Sequence, residues 1–273
     1  MFIGTNVYGW TQLAAERGED WDRPRAMADA ARAGFDGWED TFLAPGDVAP
    51  VVRDAEAAGL AMRSAYVPCA LHDGRAEGAI ANACAIAEEL LPHGMTRVIV
   101  NPDPLPGKGA KDDAQIARQG AALERLGRAL RERGAALLFH SHAPEMLEGA
   151  REFHHMLAGT DPDAVRLCLD LHWVYRGCGN SQVAVEDVIR LYGDRIDEVH
   201  LRQSQGGVWS ETLGPGDLDM PRLGRMIVER ANAPLTVVEI AYEPGMRRAG
   251  DPVAAHGEAV SYAREAFGGA RIA

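Results

Sequence analysis

The sequence predicts an α/β fold, a (β/α)8 TIM barrel laid over residues 1–273 as a single domain. Short apolar runs alternate with longer amphipathic segments along the whole chain. A parallel sheet follows, because each strand needs a crossover to re-enter in the same direction. Eight such units can be counted, and closure into a barrel uses them without leftovers. Several runs also finish in residues able to bind a metal: His140 and His142 after ALLF, Asp170 ending VRLCLD, His200 in IDEVHL and Glu239 in LTVVEI. The C-terminal mouth of a barrel is where such residues belong. An open doubly wound sheet would want a glycine-rich phosphate turn after the first strand, and GTNVYGW does not supply one.

Each element has its own signal. Phe2 to Tyr8 is the first strand, and DWDRPRAMADAARAGF the first helix, with Asp22 as cap, Pro24 in the first turn and Gly34 closing it. FDGWE is strand two, residues 47–58 helix two, and LAMRSAYV strand three. An alanine-rich helix over 76–91 leads to TRVIVN, strand four, and a Pro/Gly-rich loop, PDPLPGKGAKDD. The helix over 114–133 stops at Gly134, ahead of AALLFHSH as strand five and a helix over 145–157. VRLCLD, SQVAVEDVIRLYGD and IDEVHL give strand, helix and strand. A loop over 202–216, a helix over 220–230, the strand LTVVEI and a helix over 251–267 complete the count.

Composition bounds the function. The chain has 47% hydrophobic and 25% charged residues, as soluble globular proteins do. Its net charge of −12 disfavours a partner held by its phosphate backbone, so no nucleic acid is expected. No 18-residue apolar run and no signal-like N-terminus can be read, so no membrane partner and a cytoplasmic location are expected. Cys69, Cys84, Cys168 and Cys178 form no CxxC pair, which points to small buried hydrophobes rather than a thiolate site.

His140, Asp170, His200 and Glu239 come from strands five to eight, adjacent around a barrel. Charged groups facing a barrel interior cost several kcal/mol unless paired or metal-bound, so stability alone does not explain four of them. Two imidazoles and two carboxylates suit Mn2+, Co2+, Mg2+ or Zn2+. Trp10, Trp38, Trp173 and Trp209 can form apolar walls around a site, Trp173 foremost because it follows the Asp170 run.

The motifs resemble those of the sugar phosphate isomerase/epimerase superfamily, with its xylose isomerase-like barrel. HSHAPE resembles that family's His-Asn-His-Asp-Phe-Glu stretch, LDLHWVYRG its Asp-Thr-Tyr-Trp-Val form, EVHLRQS its Val-His-Leu-Lys-Asp, and LGPGDLD its Leu-Gly-Glu-Gly-Asp-Ile-Asp. GFDGWE and VVEI fit its second and eighth strands, the strand-two motif ending in Glu39. The resemblance implies metal ligands at Asp170, His200 and Glu239. The strand-five ligand is a glutamate in the epimerases; here His140 stands at that position, and Glu145 is the alternative. Arg202 stands at the family's lysine, Gln203 at its aspartate, and Tyr66 where many relatives have a histidine.

The implied activity is that of a metal-dependent sugar or keto-sugar isomerase or epimerase, with proton abstraction next to a carbonyl through an enediolate. Glu239, His142 and Arg202 are its expected catalytic residues, and Trp173, Glu145, Trp10 and Glu39 its substrate contacts. The His-x-His form gives weight to a lyase, a dehydratase acting on a keto-sugar or keto-cyclitol as inosose dehydratase does. A non-catalytic sugar-binding subunit is the remaining reading. The expected partner is a small carbohydrate or cyclitol, with a homo-oligomer possible.

Overall fold

The computed structural model describes residues 1–231 and 233–268. Eight parallel strands are β1 (Ile3–Asn6), β2 (Gly37–Glu39), β3 (Ser64–Tyr66), β4 (Arg97–Val100), β5 (Ala136–Phe139), β6 (Val165–Asp170), β7 (Ile196–Leu201) and β8 (Leu235–Val238). Their order is β2-β1-β8-β7-β6-β5-β4-β3, so β1 pairs with both β2 and β8. The seam between β2 and β3 is bridged just outside the strands. The amide of Trp38 donates to Ala61 O at 3.0 Å, and those of Tyr66 and Phe42 to Asp40 O and Tyr66 O at 2.9 Å each. The sheet thereby turns back on itself as a nearly closed barrel.

Around it pack α1 (Val7–Glu16), α2 (Arg23–Ala33), α3 (Val48–Ala58), α4 (Ala76–Leu90), α5 (Asp113–Arg133), α6 (Leu147–Ala158), α7 (Leu171–Gly177), α8 (Gln182–Tyr192), α9 (Met220–Arg230) and α10 (Pro252–Gly268). The expected caps are in place. Asp22 accepts from the Arg25 amide at 3.0 Å, Pro24 sits in the first turn, and Gly34 ends α2 at φ 92°. Asp112 and Gln115 cap α5 reciprocally, and Gly134 ends it at φ 91°. Among the described residues, no helix is long and apolar enough to cross a membrane.

Three features depart from strict strand–helix alternation. The apolar run at the N-terminus does not stay extended to Tyr8. The Asn6 side chain accepts from the Tyr8 amide at 2.7 Å, so the chain turns into α1 and carries Tyr8 and Trp10 onto a helix. Asp170 likewise caps the short α7. The loop after β7 folds into a hairpin over 204–209 whose turn, Gly206 and Gly207, runs at φ 59° and 81°. Asp217 holds that turn, accepting from Gly206 N, Gly207 N and Ser204 Oγ at 2.9, 2.8 and 2.7 Å.

Apolar side chains fill the layer between sheet and helices. Inside the barrel a small separate cluster of Ile99, Leu138 and Cys168 occupies one side. The polar residues Ser64, Glu198 and His200 are buried as well, and Glu198 is the sheet partner of Cys168. All four cysteines are free; Cys69, Cys84 and Cys168 are buried and Cys178 half-buried.

Candidate metal centre and active site

His140 follows β5, Asp170 ends β6, His200 is the fifth residue of β7, and Glu239 follows β8. Asp170 pairs directly with His200 across the sheet, and the ladder continues past the strand ends. His140 N donates to Val100 O at 2.9 Å and Glu239 N to Leu201 O at 3.0 Å. Backbone pairing therefore fixes the four positions relative to one another, with Glu239 two residues beyond Val237, the register partner of His200. One ligand atom from each lies within 4.8 Å of the others, and all four side chains are buried. Glu145, the other strand-five candidate, is not in this cluster.

Hydrogen bonding inside the cluster is incomplete. His200 Nδ1 and Glu239 Oε2 are 2.8 Å apart, while His140 Nε2 stands 3.8 Å from Asp170 Oδ2. Asp170 uses Oδ1 to accept from the amides of His172 and Trp173 at 2.9 and 2.8 Å, and its Oδ2 has no hydrogen-bond partner. Both ring nitrogens of His140 also lack one. Buried polar atoms are almost always paired, so Asp170 Oδ2 and the lone-pair nitrogen of His140, both without partners within this ligand-type cluster, could take a cation. The mixed nitrogen and oxygen set fits a hard or borderline divalent ion.

The charges diverge sharply. Burial favours the neutral form of Glu239, but Arg202 and His200 outweigh it and hold this carboxyl well below its ordinary range. Arg202 Nε donates to Glu239 O at 2.9 Å, its Nη2 donates to Glu239 Oε1, and its guanidinium lies 4.5 Å from the Trp209 ring and 5.3 Å from Trp173. Burial pushes Asp170 up to about 6 against the pull of Arg202. It also holds His140 well below the usual imidazole range, with His142 and His200 adding repulsion.

Above the cluster opens a cavity of about 560 Å³, lined by Glu239, His142, Glu145, Trp173, Trp209, Tyr66, Lys108 and the newly implicated Tyr8, Tyr242 and Glu243. His142 meets His140 edge-on at 4.9 Å and Trp173 at 5.3 Å between ring centroids. Burial lowers it to about 4, so its ring is a neutral base at pH 7. Glu145 moves the other way, pushed up to about 7 by burial, with its Oε2 accepting from His142 N at 2.6 Å.

The aromatic wall is braced from behind. Ser204 Oγ donates its one proton to Asp217, so it accepts from His172 Nε2 at 2.9 Å, which leaves His172 Nδ1 to accept from Trp209 Nε1 at 3.2 Å. Arg176 pairs with Glu243 at 2.8 Å and covers the Trp209 ring at 4.4 Å. Gln203 holds the loop after the hairpin, donating to Gly214 O and Leu218 O and accepting from Ser204 N and Leu218 N. An aspartate at that position could not make the two donations.

Two expected substrate contacts do not line the cavity. Trp10 stacks on His256 at 4.3 Å and donates to Thr5 Oγ1 at 3.1 Å, because the turn into α1 carries it into the layer behind the sheet. Glu39, 1% exposed, lies inside the barrel, where it accepts from Asn6 Nδ2 and, at 3.0 Å, from Ser64 Oγ. Trp38 is likewise core, donating to Asp40 at 2.8 Å.

Beneath the cluster lies a group that the strand-end pattern passed over. Ser64 Oγ touches Glu39 at 3.0 Å and Glu198 Oε1 at 2.9 Å. One hydroxyl proton cannot serve both, so one carboxyl carries a proton of its own. Burial and the neighbouring Glu39 push Glu198 up to about 7. Glu198 precedes His200 by two and so shares its inward face; the two-residue period of a strand was the signal for it.

The fold and the converging side chains define a (β/α)8 barrel with a buried, ligand-type cradle at its C-terminal mouth. The chain belongs to the xylose isomerase-like TIM barrel family, whose model matches residues 27–266. An inosose dehydratase of Lacticaseibacillus casei is 30% identical over 93 residues, covering 33% of this chain and 29% of that protein. D-psicose 3-epimerase of Clostridium cellulolyticum H10 superposes with TM-score 0.74 at 13% identity, covering 98% of this chain and 99% of that one. A xylose isomerase-like TIM barrel protein of Mycobacterium smegmatis, solved with magnesium, does so with TM-score 0.69 at 15% identity over 93% and 91% of the two chains. At such identities the likeness is one of fold.

Proposed function

We propose that this protein is a divalent-metal-dependent enzyme that isomerises or epimerises a sugar or keto-sugar by moving a proton next to a carbonyl. The observation that carries this reading is the set of four buried ligand-type residues at the floor of an aromatic-walled cavity. His140, Asp170, His200 and Glu239 would hold the ion. An ion there would supply a Lewis acid beside the substrate carbonyl.

The remaining steps belong to the chain. His142, neutral and on the cavity wall, takes the proton; it suits this task better than Glu239, whose carboxylate is already committed to Arg202 and His200. Arg202 acts through Glu239, holding it in place. Glu145, with its raised affinity for a proton, returns one to the substrate. Trp173 and Trp209 present apolar faces to the C–H side of the ring and keep water out.

A second reading has its own support. The partial likeness to inosose dehydratase, with the His140–His142 pair, favours loss of a β-hydroxyl from a keto-cyclitol or keto-sugar. Glu145 would then protonate the leaving oxygen. The test is to strip the protein of ions, reload it with Mn2+ and offer keto-pentoses, keto-hexoses and inososes in D2O. Epimerised or isomerised product carrying deuterium beside the carbonyl supports the first reading, and loss of water the second. Sugar binding without turnover or exchange across the panel would overturn both and leave a sugar-binding subunit.

A further inference from the structure

His200 faces two compartments. Its Nδ1 looks to the cluster, 2.8 Å from Glu239 Oε2, while its Nε2 looks down into the barrel. There two carboxyls wait, Glu39 Oε1 at 3.5 Å and Glu198 Oε1 at 3.7 Å, joined through Ser64 Oγ. Asn6 fixes Glu39 from β1. Neither His200 Nε2 nor Glu198 Oε2 has a hydrogen-bond partner at these distances. Glu39 and Glu198 are 1% and 0% exposed, and neither lines the cavity.

Stability does not account for two carboxyls in a barrel core, since apolar side chains of similar volume would avoid the desolvation cost. What the two share is His200. To serve as a ligand His200 would give up the Nδ1–H that now faces Glu239, and a neutral imidazole then keeps its one proton on Nε2. We infer that Glu39 and Glu198 are positioning residues that accept the Nε2–H of His200 and thereby present its Nδ1 lone pair to the ion. This rests on the metal centre proposed above. It moves Glu39 from substrate contact to the support of a ligand, the kind of outer partner that fixes ring orientation and raises ligand basicity.

Zinc alone is a sufficient probe. Its affinity, read by competition with a chromophoric chelator, is compared in wild type, E39L, E198L, E39Q and E198Q. The ring 15N shifts of His200 in the zinc-loaded wild type are recorded alongside. The expected result is a proton on Nε2 with zinc at Nδ1. The leucine variants should bind zinc roughly 10–100-fold more weakly, and the glutamine variants, which keep an acceptor oxygen, should recover most of that loss. Leucine variants that bind zinc like wild type and change only in thermal stability would overturn the inference. So would zinc at Nε2 of His200 in wild type, a result that does not depend on any variant folding. Wild type that takes up no ion would instead bring down the metal centre, and this inference with it.

Discussion

Glu239 and Glu145 border the same cavity and are both buried, yet they behave as opposite kinds of carboxyl. Glu239 belongs to the floor. It follows β8, its amide extends the ladder to β7, and Arg202 and His200 each bind one of its oxygens. Glu145 belongs to the wall, on the loop after β5, where its Oε2 accepts from a neutral backbone amide. Burial penalises the charge of both, and only the floor supplies cations to reverse the sign. The difference is one of environment: the floor favours a charged carboxylate, the wall a protonated one, and the proposed proton transfers would draw on that split.

The sharpest way to break that division is to empty the floor. D170A or H200A removes a group that no neighbour replaces, so stoichiometric Mn2+ and turnover should both be lost. The circular dichroism of a barrel should remain, because neither side chain belongs to the apolar layer between sheet and helices. Metal analysis of the two purified variants checks this. Full ion content in both would show that the floor is not the metal site.

Much of the floor was legible in the sequence, for a physical reason. In a parallel barrel the strand ends converge, so a residue's position at the end of an apolar run already says which opening it faces. His140, Asp170, His200 and Glu239 needed only that. Height inside the barrel and the path beyond a strand end are different matters. Glu39 ends its strand as Asp170 does, but Asn6, Ser64 and His200 engage it below the cavity, and no local pattern encodes those partners. Trp10 was misplaced because one side-chain bond from Asn6 turned an apolar run into α1. The hairpin over 204–209 escaped notice because its strands are only two residues each.

A finer comparison sets His142, the proposed base on the wall, against the floor's carboxylate. H142N keeps a hydrogen-bonding side chain of similar reach but cannot take a proton at neutral pH. Turnover per bound ion should fall by about 10²–10⁴, as for loss of a general base, with ion affinity preserved. E239Q should show the reverse emphasis, weaker ion binding with a smaller loss in turnover once loaded. Steady-state rates normalised to metal content separate the two. If E239Q loses more turnover per ion than H142N, the base sits on the floor and the division fails.

The smallest expected effect concerns the proton on Glu145, and it can be read from stability without any substrate. A carboxyl ordinarily near 4.5 that is pushed up to about 7 binds a proton more tightly in the folded chain than in the unfolded one. Between those values the folded state holds more protons, so stability falls as pH rises. The contribution is therefore fully present below the ordinary carboxylate value and lost as pH climbs through about 7. A shift of this size corresponds to about 3 kcal/mol across the window, an upper figure given the partial neutralisation that a relaxing loop allows. E145Q cannot titrate and should lack this slope, so the stability gap between wild type and E145Q should change in the wild type's favour as pH is lowered from 8 to 5. Urea unfolding of ion-stripped protein at both pH values measures it. A gap that is constant with pH would mean that Glu145 ionises like any exposed carboxylate. The wall would then hold charge as the floor does, and His142 would be left as its only proton-exchanging group.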